Sequence, residues 1–232
     1  VQILRRDAFT PSVWKNGGGR THEVFRVPAA GDPFRWRLSL AEVERSGPFS
    51  DFSGYQRLLT LLDGAFALRF SNGESHRLAG VGDLLRFDGA LGVECELASR
   101  ASTDLNLIVS NAIAGVRARV VSLTAPLAVH LVPGATLAIF AVAGALTVTR
   151  EVSAGASGAS GATGATGAPG AAGMESPAIA ELAAWDAAID VGPTARVVRL
   201  ATTPGSMPAT DLAPAQVFFA EFRDTGMPAL GQ

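Results

Sequence analysis

Over most of its length the chain is divided into short runs of alternating apolar and polar residues, separated by turns rich in glycine, asparagine and proline. A period of two puts successive side chains on opposite faces of an extended strand, a pattern that a helix cannot satisfy. In the first half the runs cover residues 21–27, 35–43, 57–62, 65–70, 76–78, 84–87, 93–97 and 105–109. Asp63-Gly64 and Asn72-Gly73 fall between neighbouring runs. These dipeptides accept the positive φ of a tight turn, so each is a hairpin signal. The second half repeats the pattern more loosely, at 117–123, 127–132, 137–142, 146–150, 196–201 and 217–222, with a short helical turn expected within 181–188. Many short strands at this spacing predict an all-β barrel or sandwich. The break between halves is expected within 111–115, which divides the chain into residues 1–113 and 114–232.

Composition supports a packed core. Hydrophobic residues make up 48% of the 232 residues and charged residues 17%, enough apolar surface for a globular chain. The 19 basic and 21 acidic residues nearly cancel, so no broadly basic face for nucleic acid is expected. Residues 127–148 are apolar, but His130 and Pro133-Gly134 interrupt them, which predicts two strands and a turn rather than a membrane span. The first residues, Val1-Gln2-Ile3-Leu4-Arg5-Arg6-Asp7, lack an apolar signal core, and Cys95 has no second cysteine with which to form a disulfide. These features together lead to the expectation of a cytoplasmic protein. Residues 154–173 carry a Gly-Ala-X repeat with one proline, Pro169. It is too short for a collagen helix and has little surface to bury, so a flexible loop is expected.

Few residues suit metal or nucleophilic chemistry. The three histidines, His22, His76 and His130, form no His-X-His pair, and no metal or other cofactor is expected. Gly17-Gly18-Gly19 lacks a following Gly-Lys-Ser/Thr and leads into a strand rather than a helix, so it does not read as a phosphate loop. Strand parity is more informative. Thr21, Glu23, Phe25 and Val27 share one face of their run. Arg37, Ser39, Ala41 and Val43 share one face of the next run, and Trp36, Leu38 and Leu40 share the other. Either the apolar set claims the core and leaves Arg37 and Ser39 in solvent, or it packs on the second half and turns them into a polar pocket. Asp104 and Asn106 likewise alternate with Leu105 and Leu107, and Arg57 opens a strand after the turn-rich stretch 47–54.

Four segments carry a family resemblance: Trp14-Lys15-Asn16-Gly17-Gly18-Gly19-Arg20-Thr21-His22-Glu23, Trp36-Arg37-Leu38-Ser39-Leu40-Ala41-Glu42-Val43, Ser46-Gly47-Pro48-Phe49-Ser50-Asp51-Phe52-Ser53-Gly54-Tyr55-Gln56-Arg57 and Asp104-Leu105-Asn106-Leu107. In this order, over about residues 13–110, they resemble the motifs of the HutD/Ves family. The second half resembles that family only in β character and length. The resemblance implies a metal-free bicupin, with cupin-like barrels at 1–113 and 114–232. It also implies binding of a small anionic intermediate of histidine degradation, such as formylglutamate or formiminoglutamate, in a regulatory role. On the matching positions, Arg37 or Arg57 would pair with a ligand carboxylate. Asn16, Thr21, Ser39 and Asn106 would supply neutral hydrogen bonds, and Glu23 would accept from a ligand N–H or hold an arginine. One departure is Ala90, where the family commonly has an acidic residue after Phe87-Asp88-Gly89. A regulatory binding protein ranks first, ahead of a metal-independent isomerase or hydrolase using Glu23 as acid or base, and ahead of a stress-related structural protein. Exposed sheet edges would allow a homodimer.

Overall fold

The computed structural model describes residues 1–152, 178–203 and 214–224. The expected Gly-Ala-X loop at 154–173 lies outside the described residues. The first half holds β1 (Gln2–Leu4), β2 (Thr10–Val13), β3 (Gly19–Val27), β4 (Trp36–Val43), β5 (Gly47–Pro48), β6 (Tyr55–Asp63), β7 (Phe66–Phe70), β8 (Ser75–Leu78), β9 (Leu84–Asp88), β10 (Val93–Leu97) and β11 (Ser102–Ser110). The second holds β12 (Arg117–Ser122), β13 (Leu127–Leu131), β14 (Ala135–Ala143), β15 (Leu146–Val152), β16 (Ala178–Leu182), β17 (Ala187–Val191), β18 (Arg196–Thr202) and β19 (Gln216–Arg223). Every run predicted as a strand is one. Gly64 and Gly73 sit at φ 82° and 90°, as the two hairpin signals require.

The strands form four antiparallel sheets. One half pairs a six-stranded sheet, β2-β3-β4-β11-β6-β9, with a four-stranded sheet, β5-β10-β7-β8. The other pairs a five-stranded sheet, β1-β17-β14-β19-β12, with a four-stranded sheet, β13-β18-β15-β16. Each half is thus a jelly-roll-like sandwich, and among the described residues its two sheets are not joined edge to edge by strand pairing. β1 crosses over. It opens the chain but pairs with β17, so Leu4 lies opposite Ala187 in the sheet of the second half.

Residues 181–188 are not helical, contrary to the sequence expectation. β16 ends at Leu182, a tight turn holds Trp185 at φ 71°, and β17 begins at Ala187. Alanines favour helix in isolation, but β17 lies between two cores and buries both of its faces, which an extended strand does and a short helical turn cannot. Ala187 and Ile189 pack towards the first half, and Ala188 packs into the second half's interior.

The two halves are joined through a shared core. Trp36, Leu38 and Leu40 of β4 meet Phe140, Phe218 and Phe222 of the five-stranded sheet, and the Trp36 and Phe222 rings stand 5.2 Å apart. These six buried aromatic and aliphatic side chains belong to one continuous apolar core that spans the two halves. This packing leaves the opposite face of β4, with Arg37 and Ser39, inside the first sandwich. The second sandwich is filled differently: Leu137, Ile139, Val148, Val198, Leu200 and Val217 occupy its interior. Its buried Arg196 is engaged by Asp190 and by the carbonyls of Ala135 (2.7 Å) and Gly192 (3.1 Å). Among the described residues no helix is long and apolar enough to cross a membrane.

Candidate functional site

The antiparallel register across the six-stranded sheet builds three rows of inward-facing side chains. The first row runs Ser12, Thr21, Ala41, Asp104, Leu61. The second runs Thr10, Glu23, Ser39, Asn106, Leu59. The third runs Arg26, Arg37, Ile108, Arg57, Phe87. Towards β6 and β9 these rows merge into an apolar core with Phe66, Leu68 and Cys95 of the facing sheet. Towards β2, β3 and β4 they line a pocket of about 760 Å³, a volume typical of small-molecule sites.

All seven residues singled out from the sequence line this one pocket: Asn16, Thr21, Glu23, Arg37, Ser39, Arg57 and Asn106. Their commitments differ. Thr21 Oγ1 already accepts from Trp14 Nε1 at 2.8 Å, and Asn16 Oδ1 accepts from the Gly18 N–H at 2.9 Å. Ser39 Oγ has only a long contact to the Asn106 carbonyl, 3.5 Å. Asn106 Oδ1 is buried with no hydrogen-bond partner. Lys15 also lines the pocket, but the three glycines do not. Gly17 turns the chain at φ 64°, and a Cβ on Gly19 would lie 2.1 Å from the Glu42 carbonyl oxygen. The glycines therefore let the β2–β3 loop pack against β4, and they present no array of amides to an anion.

The sequence pattern also misplaces two residues. Thr21 and Glu23 face the pocket as expected, but Phe25 and Val27 do not. A bulge shifts the β3–β4 register between Glu23 and Phe25. An extra residue in a strand reverses the parity beyond it. Phe25 therefore stacks on Trp36 at 4.9 Å in the shared core, and Arg26 takes the pocket face. Arg26 had no signal in a strict period of two. Asp104 had one, since it shares parity with Asn106.

The arginine row is held by an aromatic loop. Phe52 lies 5.3 Å from the Arg37 guanidinium and 5.2 Å from that of Arg57. Phe49 and Phe87 complete the surround of Arg57, at 5.3 and 5.1 Å. Ring faces hold a cation in place without consuming its N–H donors. Nε of Arg26, Arg37 and Arg57 are all buried without a hydrogen-bond partner, while Arg26 Nη2 donates to the Gly31 carbonyl and to Asp32, and Arg57 Nη1 makes a long contact to the Ser50 carbonyl, 3.5 Å. Burial pushes the Arg57 guanidinium down to about 10, and the charge of Arg37 pushes the same way. Arg37 is lowered mainly by burial too, with Glu23 opposing and Arg26 adding. Asp104 is 1% exposed, and neither carboxyl oxygen has a hydrogen-bond partner. Burial pushes it up to about 7, against the pull of Arg57.

In a second cavity the charged groups satisfy one another. A cleft of about 530 Å³ between the halves contains Arg5, Asp186, His22 and Glu42. Arg5 pairs with Asp186 at 2.6 Å and His22 with Glu42 at 3.1 Å. Ala90 is exposed and does not line the 760 Å³ pocket, so its departure from the family motif leaves the lining unchanged. Among the described residues no cluster of three or more His, Cys, Asp or Glu side chains is placed to hold a metal ion.

Comparison with known proteins agrees with the motif resemblance. The HutD family model matches residues 6–174. An uncharacterized 21.2 kDa protein in the hutC 3' region of Pseudomonas putida is 42% identical over 109 residues, which are 47% of this chain and 57% of that protein. The chain spans about half the length of the curated relatives it matches. A solved conserved protein of unknown function from Pseudomonas aeruginosa PAO1 is 28% identical, with a TM-score of 0.75 over 96% of this chain and 98% of that one. HutD from Pseudomonas fluorescens SBW25 shares the fold at 23% identity and a TM-score of 0.69, over 96% of this chain and 99% of that one. A variant of oxalate decarboxylase from Bacillus subtilis shares it at 10% identity and 0.57, over 97% and 77%. The architecture is an all-β bicupin, and the chain belongs to the HutD family.

Proposed function

We propose that the first-half pocket binds a small dicarboxylate of the formylglutamate or formiminoglutamate type, and that binding serves regulation of histidine utilisation rather than turnover. The row of Arg26, Arg37 and Arg57, each with an unpaired buried Nε, carries this reading. Lys15 adds a fourth cation, against the carboxyls of Glu23 and Asp104 in the lining and of Asp32, which pairs with Arg26 from outside it, so the lining keeps an excess of positive charge and favours an anion. Planar guanidinium groups suit carboxylates, whose two oxygens accept two parallel N–H bonds. Glu23 and the free Oδ1 of Asn106 lie one row away and suit a ligand N–H. The relative in the hutC 3' region supports the link to histidine utilisation.

A thermal-shift series with histidine-degradation intermediates, followed by mass analysis of the recovered ligand, tests this reading. A ligand selective for the native state raises its stability. The expected result is a shift with N-formyl-L-glutamate, the ligand recovered intact, and no shift in Arg57→Ala. A shift retained by Arg57→Ala would refute the ligand assignment. The second reading, a metal-independent enzyme, is favoured by one observation: Asp104, pushed up to about 7, suits acid–base work. A changed ligand mass would select it.

A further inference from the structure

We infer that Asp104 is a ligand-contacting residue which carries a proton when the pocket is occupied, so that an anion and a proton enter together. This rests on the reading of the pocket as an anion site. Four observations converge on Asp104. Its side chain lines the pocket, and both carboxyl oxygens are buried without a hydrogen-bond partner. In the register it faces Ala41, the smallest side chain of its row, on one side and Leu61 on the other. Neither neighbour has a polar side-chain group to offer it. The space above Ala41 is therefore where a ligand would meet it.

The surrounding charges set the direction of the coupling. Arg57 on β6 attracts the ionised form of Asp104. Cys95, from the facing β10, is coupled to Asp104 and is itself held in the neutral thiol form by burial. Arg37 on β4, with Glu23 and Arg26 on β3, shares the same pocket. With the pocket open, Arg57 is the main support for a negative charge on Asp104. A bound carboxylate takes up the guanidinium field of Arg57 and adds a negative charge of its own. Both effects favour the neutral carboxyl. Its O–H can then donate to a ligand oxygen, which an ionised carboxylate cannot do. The proton comes from solvent, and no covalent bond changes. Burial already brings Asp104 to about 7, so the switch falls within the working pH range.

The test is calorimetric titration of the full chain with N-formyl-L-glutamate, in two buffers of different ionisation heat, from pH 6.5 to 8.5. The wild type is expected to take up close to one proton per ligand at the upper end, with Kd rising by about tenfold per pH unit above pH 7.5. Asp104→Asn is expected to bind with no proton uptake and a flat pH profile. Infrared difference spectra of the wild type supply a second readout, which holds even where the variant does not fold. A protonated-carboxyl band should appear on ligand addition. Binding without proton uptake, or without that band, overturns the inference and leaves the anion-site reading standing. No binding heat at any pH overturns that reading and the inference with it.

Discussion

Asparagine at position 104 should gain stability relative to the wild type in the ligand-free protein as the pH rises. Asp104 goes from an ordinary 3.8 to about 7 because folding removes its carboxyl from water. Between those two values the folded state keeps a proton that the unfolded chain has released. The wild type therefore loses stability as pH climbs through this window, with the penalty absent below it and complete above it. From pH 5 to pH 8 the loss integrates to roughly 3 kcal/mol. Arg57, lowered only to about 10, is charged in both states across this range and adds nothing to the slope. An asparagine cannot ionise, and whatever its buried amide costs is independent of pH. The stability difference between Asp104→Asn and wild type should thus grow by roughly 3 kcal/mol from pH 5 to pH 8, a relative Tm gain of roughly 6 to 12 °C for a chain of this size. Thermal melts of both proteins at half-unit pH steps measure it. A difference that stays flat would mean that Asp104 is ionised at ordinary pH, and the account of this pocket's electrostatics would fail.

Two further outcomes follow from the packing. Trp36→Ala empties the centre of the core shared by the halves and should cost roughly 3 to 5 kcal/mol in denaturant titrations; a loss below about 1 kcal/mol would show that the halves are not held there. Cys95 is 2% exposed, and burial pushes its thiol up to about 12. It should label with thiol reagents at pH 8 only once the chain is unfolded, and rapid labelling of the native protein would contradict its placement.

Much of this architecture is legible in the sequence because a half-buried strand writes its period directly into the chain. β4 shows this best. Its alternation left two assignments open, and only the second half, supplying Phe140, Phe218 and Phe222, decides that Trp36 faces the joint and Arg37 the pocket. Parity within one strand cannot say which face meets which partner. β17 was hidden for another reason: it is held extended by burial of both faces, Ala187 and Ile189 on one side and Ala188 on the other, and local propensity carries no record of those partners. Six of the seven candidate residues gathered into one pocket because sheet register carries parity across β3, β4, β11 and β6, and Asn16 joins them from the β2–β3 loop. What escaped were the side chains set by irregularity, as with Arg26, or by supporting loops, as with Phe52.

The bulge in β3 acts on that strand as a shift of reading frame acts on a message. Before it, Thr21 and Glu23 face the pocket while His22 faces the cleft between the halves; after it, Arg26 faces the pocket while Phe25 and Val27 face the joint. A single inserted residue thus lets one strand deliver Thr21 and Glu23 to the polar side and both Phe25 and Val27 to the apolar side, with Arg26 between them completing the cationic row. Any insertion or deletion between Glu23 and Phe25 would alter the charge of the pocket and the packing of the halves in the same stroke, so neither can be retuned there without the other.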